Sequence, residues 1–211
     1  MTKTERLEHI LNHFNAQQPE ITTELTYGST FQLLCAVVLS AQCTDKRVNM
    51  VTPALFSRFP SAKEMAQAEA GDILDYIASV SYPNAKAGHL AAMAKKLVEN
   101  FGGEVPETMD ELTSLPGVGR KTANVMLAVA FGKAAMPVDT HVFRVSHRLK
   151  LVPKTADTPE KVERHLTRLI PGHLLLKAHH WLLLHGRYTC TARKAHCEKC
   201  EIADFCPSKN V

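Results

Sequence analysis

Apolar residues recur at intervals of three and four through most of the chain, the spacing that places side chains on one face of an α-helix. Leu7, Ile10, Leu11 and Phe14 mark one such stripe, Ile73, Leu74 and Ile77 a second, and Leu90, Met93, Ala94, Leu97 and Val98 a third. Each predicts a helix with one side turned to a core. Two stretches, Phe31 to Ala41 and Val125 to Phe131, are apolar round most of their circumference and predict helices buried on all sides, which need layers of other helices around them. Alternation of strand type is nearly absent, so the expected fold class is all-α.

Helix starts are marked as well. Ser61 with Glu64 and Thr108 with Glu111 have the spacing of capping boxes, and Thr158-Pro159 sets a capping hydroxyl before a first-turn proline. Connections are short, punctuated by Pro19, Pro60, Pro83, Gly102-Gly103 and Pro106. There is no low-complexity stretch or clear internal repeat, and composition does not place a domain seam.

At 211 residues and 45% hydrophobic content the chain can bury a substantial core, as one large domain or two small ones. Lys and Arg exceed Asp and Glu by 25 to 21, a mild bias toward polyanions that many enzymes of small substrates share. Met1 to Phe14 mixes Lys3 and Arg6 with Glu5 and Glu8, unlike a secretory signal or a transit peptide, and reads as mature sequence. No run approaches the ~20 apolar residues that span a bilayer. A soluble, cytoplasmic protein is expected.

Six cysteines in such a chain suit metal ligation or burial better than disulfides. Cys35 and Cys43 stand apart, whereas Cys190, Cys197, Cys200 and Cys206 crowd into one loop. Four soft thiolates complete the first shell of a tetrahedral zinc or of an iron–sulfur cubane. Zinc sites commonly pair two short Cys-x2-4-Cys elements, and this loop has one, so the unequal spacing favours a larger cluster. Arg193, Lys194 and Lys199 would project from a backbone pinned by the ligands and could meet phosphates, although solvated charges on a surface loop look the same.

Leu115-Pro116-Gly117-Val118-Gly119 lies between two helical patterns, so helix, hairpin turn, helix is the natural reading. The two glycines are expected to allow unusual dihedrals and to present backbone N–H groups, at a helix N-terminus, to an anion. A phosphate held by backbone gives sequence-independent positioning on nucleic acid. Such a turn alone is often only a tight corner, and Leu115-Pro116 before it with Arg120-Lys121-Thr122 after it makes it more specific.

That turn with Arg120-Lys121-Thr122-Ala123, followed by Val138-Asp139-Thr140-His141-Val142-Phe143-Arg144 and the cysteine loop, resembles the helix-hairpin-helix DNA glycosylases that carry an iron–sulfur cluster. The similarity runs from about Thr23 to Cys206 and includes Leu39-Ser40-Ala41-Gln42 and His180-Trp181-Leu182-Leu183-Leu184-His185-Gly186. It implies a central six-helix barrel with the helix-hairpin-helix over residues 23–133 and a cluster domain from 1–22 plus 134–211, with DNA lying across the seam. Cys190, Cys197, Cys200 and Cys206 would hold a [4Fe-4S] cluster, Lys121 would be the nucleophile and Asp139 its essential carboxylate. The implied substrates are oxidised or ring-saturated pyrimidines and abasic sites in double-stranded DNA, bound by a monomer. Gln42, Tyr82, Gly117, Val118, Gly119, Arg120, His141, Arg144, Arg193 and Lys194 are the expected DNA contacts.

The chemistry fits those residues. A stacked base is out of reach of a side chain, so the lesion must be flipped, at least cost where damage weakens stacking. An amine attacking C1′ displaces the base and forms an imine with the opened sugar, which acidifies the C2′ proton and permits β-elimination of the 3′ phosphate. A free lysine is almost wholly protonated at neutral pH. A first-turn position and partial desolvation in a cleft would both disfavour the ammonium of Lys121. Asp139 would take a proton or stabilise the cationic sugar, or simply cap the helix from Thr140.

One segment departs from the family. Where a glycine and a bulky hydrophobic residue are typical, this chain has Ser81-Tyr82-Pro83, making Tyr82 the candidate wedge with Gln42 sharing the gap. Rival readings are a monofunctional adenine-mismatch glycosylase of the same fold, which lacks a lysine at position 121 and generally carries a further C-terminal domain, and a non-catalytic helix-hairpin-helix module with a structural zinc. The pair Lys121 and Asp139 weighs against both.

Overall fold

In the computed structural model, which describes residues 1–209, eleven α-helices and three 3-10 turns account for the regular structure, and the sole bridge among the described residues joins Cys190 to Ala195. Residues 24–132 form one compact unit, and residues 1–23 with those from 133 onward form another.

The 24–132 unit contains α2 (Thr30–Ser40), α3 (Asp45–Arg58), the single turn α4 (Ala62–Met65), α5 (Ala70–Ile77), α6 (Pro83–Phe101), α7 (Met109–Ser114) and α8 (Arg120–Val129). Phe31 and Leu33 to Leu39 are all buried, because α3, α6 and α8 each pack against α2. The second apolar stretch behaves differently. Its helix starts earlier, at Arg120, and ends at Val129, leaving Phe131 half-buried outside it beside Gly132 at φ 62°.

Ser61 and Thr108 are the N-caps expected, accepting from Lys63 N and Glu111 N. The boxes do not close as expected, since Glu64 and Glu111 accept from the capping hydroxyls instead of reaching back to the cap N–H. Reciprocal boxes occur elsewhere, at Thr2 with Glu5 and Glu69 with Asp72. Thr158 caps α10 (Pro159–Leu169) with Pro159 in its first turn, as the dipeptide implies.

The discontinuous unit holds α1 (Lys3–Gln17), α9 (Thr140–Arg148), α10 and α11 (Leu175–Tyr188). Leu7, Ile10 and Leu11 join Val142, Val145, Trp181 and Ile202 in one core. Burying each such side chain contributes about 1.5–3 kcal/mol. Trp181 Nε1 donates to Gln18 O at 3.1 Å and His9 stacks on Phe205 at 4.9 Å, fastening the N-terminal helix to the last third of the chain. Gly186 lets α11 lie close on α9, since a Cβ there would stand 2.9 Å from that of His141. Among the described residues no helix is long and apolar enough to cross a membrane.

Candidate active site and metal centre

The turn Leu115 to Gly119 joins α7 to α8, as its glycines suggest, but the two do different work. Gly117 sits at φ 78°, and an added Cβ would come within 2.8 Å of His89 Cβ, so the position needs glycine twice over. Gly119, the N-cap of α8, has φ −90° and ψ 174°, extended backbone open to any residue. The expectation of unusual dihedrals at both glycines is therefore met only at Gly117. A Cβ at 119 would meet nothing within 4 Å, so the fold itself does not require glycine there.

Val118 is buried and its N–H donates to Leu115 O at 3.1 Å, so this residue closes the turn and packs below it. Arg120 and Lys121 are exposed on the first turn of α8, where helical N–H groups lack partners along the helix. The chain itself does not supply the desolvation expected around the Lys121 side chain.

Gln42 and Tyr82 are both exposed, and both take left-handed backbone conformations, at φ 54° and 55°. Sequence reasoning passed over Lys86, a buried side chain whose Nζ donates to Leu39 O at 2.8 Å and to Ala41 O at 2.7 Å. Its signal was available. Position 86 continues the Leu90, Met93, Ala94, Leu97 stripe by one helical step, and a charge on an apolar stripe demands a partner.

Asp139 caps α9, with Oδ1 accepting from His141 N at 2.9 Å and Val142 N at 2.8 Å. The capping role is real, and it leaves Oδ2 outside both bonds. Arg144, expected at DNA, turns inward, donating to Gly186 O at 2.7 Å and Cys190 O at 3.2 Å, with His141 Nδ1 3.2 Å from its Nη2. It ties α9 to α11 and to the cysteine loop.

Cys190, Cys197, Cys200 and Cys206 are free thiols lining a single cavity of about 80 Å³, beside Arg148 and His185. Burial pushes the Cys200 and Cys206 thiols up, and the neighbouring cysteines add to the effect. Arg148 Nη1 donates to Thr191 O at 2.7 Å and lies 3.2 Å from Cys190 Sγ. Among the described residues no three potential ligands converge on one metal ion. This cavity is several times the ~10–15 Å³ that a single water needs, and its size and four lining thiols, with His185 and His196 beside them, fit a cluster. The loop also holds its shape through the Cys190 to Ala195 bridge and a Thr191 Oγ1 bond to Lys194 O at 2.7 Å, with Arg193 and Lys194 exposed at its tip.

The family described as HhH-GPD superfamily base excision DNA repair protein matches residues 35–172. The chain belongs to that superfamily. Among relatives of the chain, the endonuclease III of Haemophilus influenzae is 44% identical over 209 residues, covering 99% of this chain and 98% of that protein. The endonuclease III of Synechocystis is 46% identical over 208 residues, covering 98% and 94%. A solved structure of a trapped endonuclease III-DNA covalent intermediate aligns with a TM-score of 0.91 at 37% identity, over 99% of this chain and 98% of that one. The HhH-GPD match contains the hairpin, Lys121 and Asp139, while the cysteine loop lies within the reach of the full-length relatives.

Proposed function

We propose that this chain is a bifunctional DNA glycosylase and abasic-site lyase of base-excision repair, removing oxidised or ring-saturated pyrimidines from double-stranded DNA. The observation that carries the reading is an exposed amine, Lys121, on the first turn of a helix that the Gly117 turn sets in place, in a chain alike to endonuclease III along its whole length. Phosphate would approach over Gly119, where there is room, toward the N-terminus of α8. Arg120, His141, Arg193 and Lys194 are the remaining polar contacts offered to DNA, and Gln42 and Tyr82 the gap fillers. DNA packed over Lys121 would supply the desolvation that the chain alone does not.

In the reaction, the Lys121 amine attacks C1′ of the flipped nucleotide as the glycosidic bond breaks and the base leaves with the bonding pair. Asp139, through Oδ2, steadies the positive sugar and accepts the proton the amine sheds. The C1′–O4′ bond of the resulting aminal then opens, O4′ taking a proton as the nitrogen pair forms the imine, and the imine acidifies the C2′ proton, whose removal expels the 3′ phosphate. Cys190, Cys197, Cys200 and Cys206 would hold a [4Fe-4S] cluster, which when bound fixes the loop as a rigid body. The compact units support a barrel domain over residues 23–133 and a cluster domain from 1–22 plus 134–211. The family resemblance implies a monomer, and a bacterial setting like that of the relatives would place it in the cytoplasm on nucleoid DNA.

Borohydride is expected to trap a covalent adduct between the protein and DNA carrying an abasic site or thymine glycol. No adduct from the wild type, or an undiminished one from Lys121→Ala, would remove Lys121 from the reaction.

A further inference from the structure

Gln42 follows α2 and Tyr82 precedes α6, so the chain separates them by forty positions. They nonetheless share two properties. Both are exposed and both hold left-handed dihedrals that non-glycine residues seldom adopt, which persist only where the surroundings fix them.

Lys86 is what joins their surroundings. Its backbone N–H donates to Tyr82 O at 3.1 Å, and its side chain donates to Leu39 O and Ala41 O at 2.8 and 2.7 Å. One residue is thus bonded through its backbone to Tyr82 and through its side chain to Leu39 and Ala41, just before Gln42. The carbonyls it takes belong to the end of α2, where helical carbonyls lack partners along the helix. An ammonium offers three donors on a flexible stem and bridges two carbonyls at once. Only 5% of Lys86 is exposed, and burial lowers its pKa, so a cation is kept here against its desolvation cost. Filling the space would need only a leucine or methionine.

We propose that Lys86 is the positioning residue of the gap-filling pair, locking the turn before Gln42 to the turn carrying Tyr82 so that both side chains enter the duplex as one preset wedge. This rests on the reading that Gln42 and Tyr82 fill the gap. Two independent loops would each be ordered at the moment of binding, at a cost that a prefixed pair avoids.

The test compares a thymine-glycol duplex with a single-stranded abasic oligonucleotide, which leaves no gap to fill. Lys86→Met is expected to lower kcat/KM on the duplex by about tenfold to a hundredfold, and by at least about tenfold more than on the single strand. Lys86→Arg, which retains donors, is expected to recover most of the loss. 2-Aminopurine opposite the lesion should show weaker unstacking with Lys86→Met than with wild type. In a Gln42→Ala/Tyr82→Ala background Lys86→Met should add less than about a twofold further loss, since nothing remains to be positioned. Equal losses on both substrates, or full additivity in that background, would overturn the proposal. Should Lys86→Met not fold, Lys86→Gln is measured against the same criteria. If the double alanine variant is impaired and Lys86→Met is not, the positioning role alone fails; if the double variant is as fast as wild type, the gap-filling reading fails and takes the proposal with it.

Discussion

At Asp139 one side chain has two tasks, and they separate by substitution. The cap needs an acceptor oxygen at the position of Oδ1, and asparagine supplies one as well as aspartate does. Asp139→Asn is therefore expected to keep folding stability within about 0.5 kcal/mol of wild type while lowering single-turnover base excision by about 10²–10³. Asp139→Ala loses both, with a further cost of about 1 kcal/mol in urea denaturation. An asparagine variant as active as wild type would leave Asp139 as a cap only. The cap was legible because its partners are two and three residues away. The fate of Arg144 was not, because Gly186 and Cys190 lie 42 and 46 positions further along the chain, and nothing local announces them.

Among elements, the hairpin divides its demands between its glycines, and the pair of alanine variants exposes the division. Gly117→Ala meets both a left-handed dihedral and the His89 side chain, and should cost about 2 kcal/mol or more of stability. Gly119→Ala meets open space in extended backbone, so its cost should stay under about 1 kcal/mol, that of a poorer N-cap. DNA affinity should nevertheless drop by about tenfold, the worth of one hydrogen bond to a charged group. Thermal melts and fluorescence anisotropy on abasic duplex check both; an unchanged affinity for Gly119→Ala would mean that no phosphate sits over that residue. Helices themselves were plain in the sequence wherever a 3.6-residue stripe was long, as in α6, or wherever no polar side existed, as in α2. Their edges were less so. Glu64 and Glu111 have the right spacing for closed capping boxes, yet geometry sends their carboxylates to the hydroxyls. Lys86 shows the complementary limit, for its place on the stripe declares a buried charge without saying which carbonyls receive it.

At the scale of the whole molecule, the unit that carries the cysteine loop is built from both ends of the chain, with Leu7, Ile10 and Leu11 packed among side chains beyond residue 135. Periodicity identifies α1 as amphipathic but is silent on the surface it covers; only the family resemblance joined residues 1–22 to 134–211. The same unit contains a group that couples its stability to acid. His180 is 8% exposed, its Nε2 has no hydrogen-bond partner among the described residues, and burial lowers its pKa to about 4 from an ordinary 6.5. On acidification the unfolded chain protonates this imidazole first, so stability is whole above the unfolded value and is lost as pH falls from about 6.5 toward about 4. The loss between pH 7 and pH 5 should be roughly 2 kcal/mol from this group. Leucine in its place removes the titration and an unsatisfied polar atom together, which is near neutral or favourable at pH 7. Chemical denaturation of wild type and His180→Leu at both pH values measures the difference directly. A variant that keeps the full acid sensitivity of the wild type would place its origin elsewhere, whereas a partial flattening is the expected result, because burial also lowers the pKa of His185 in the same unit to about 4 and that imidazole keeps its own share of the link between pH and folding.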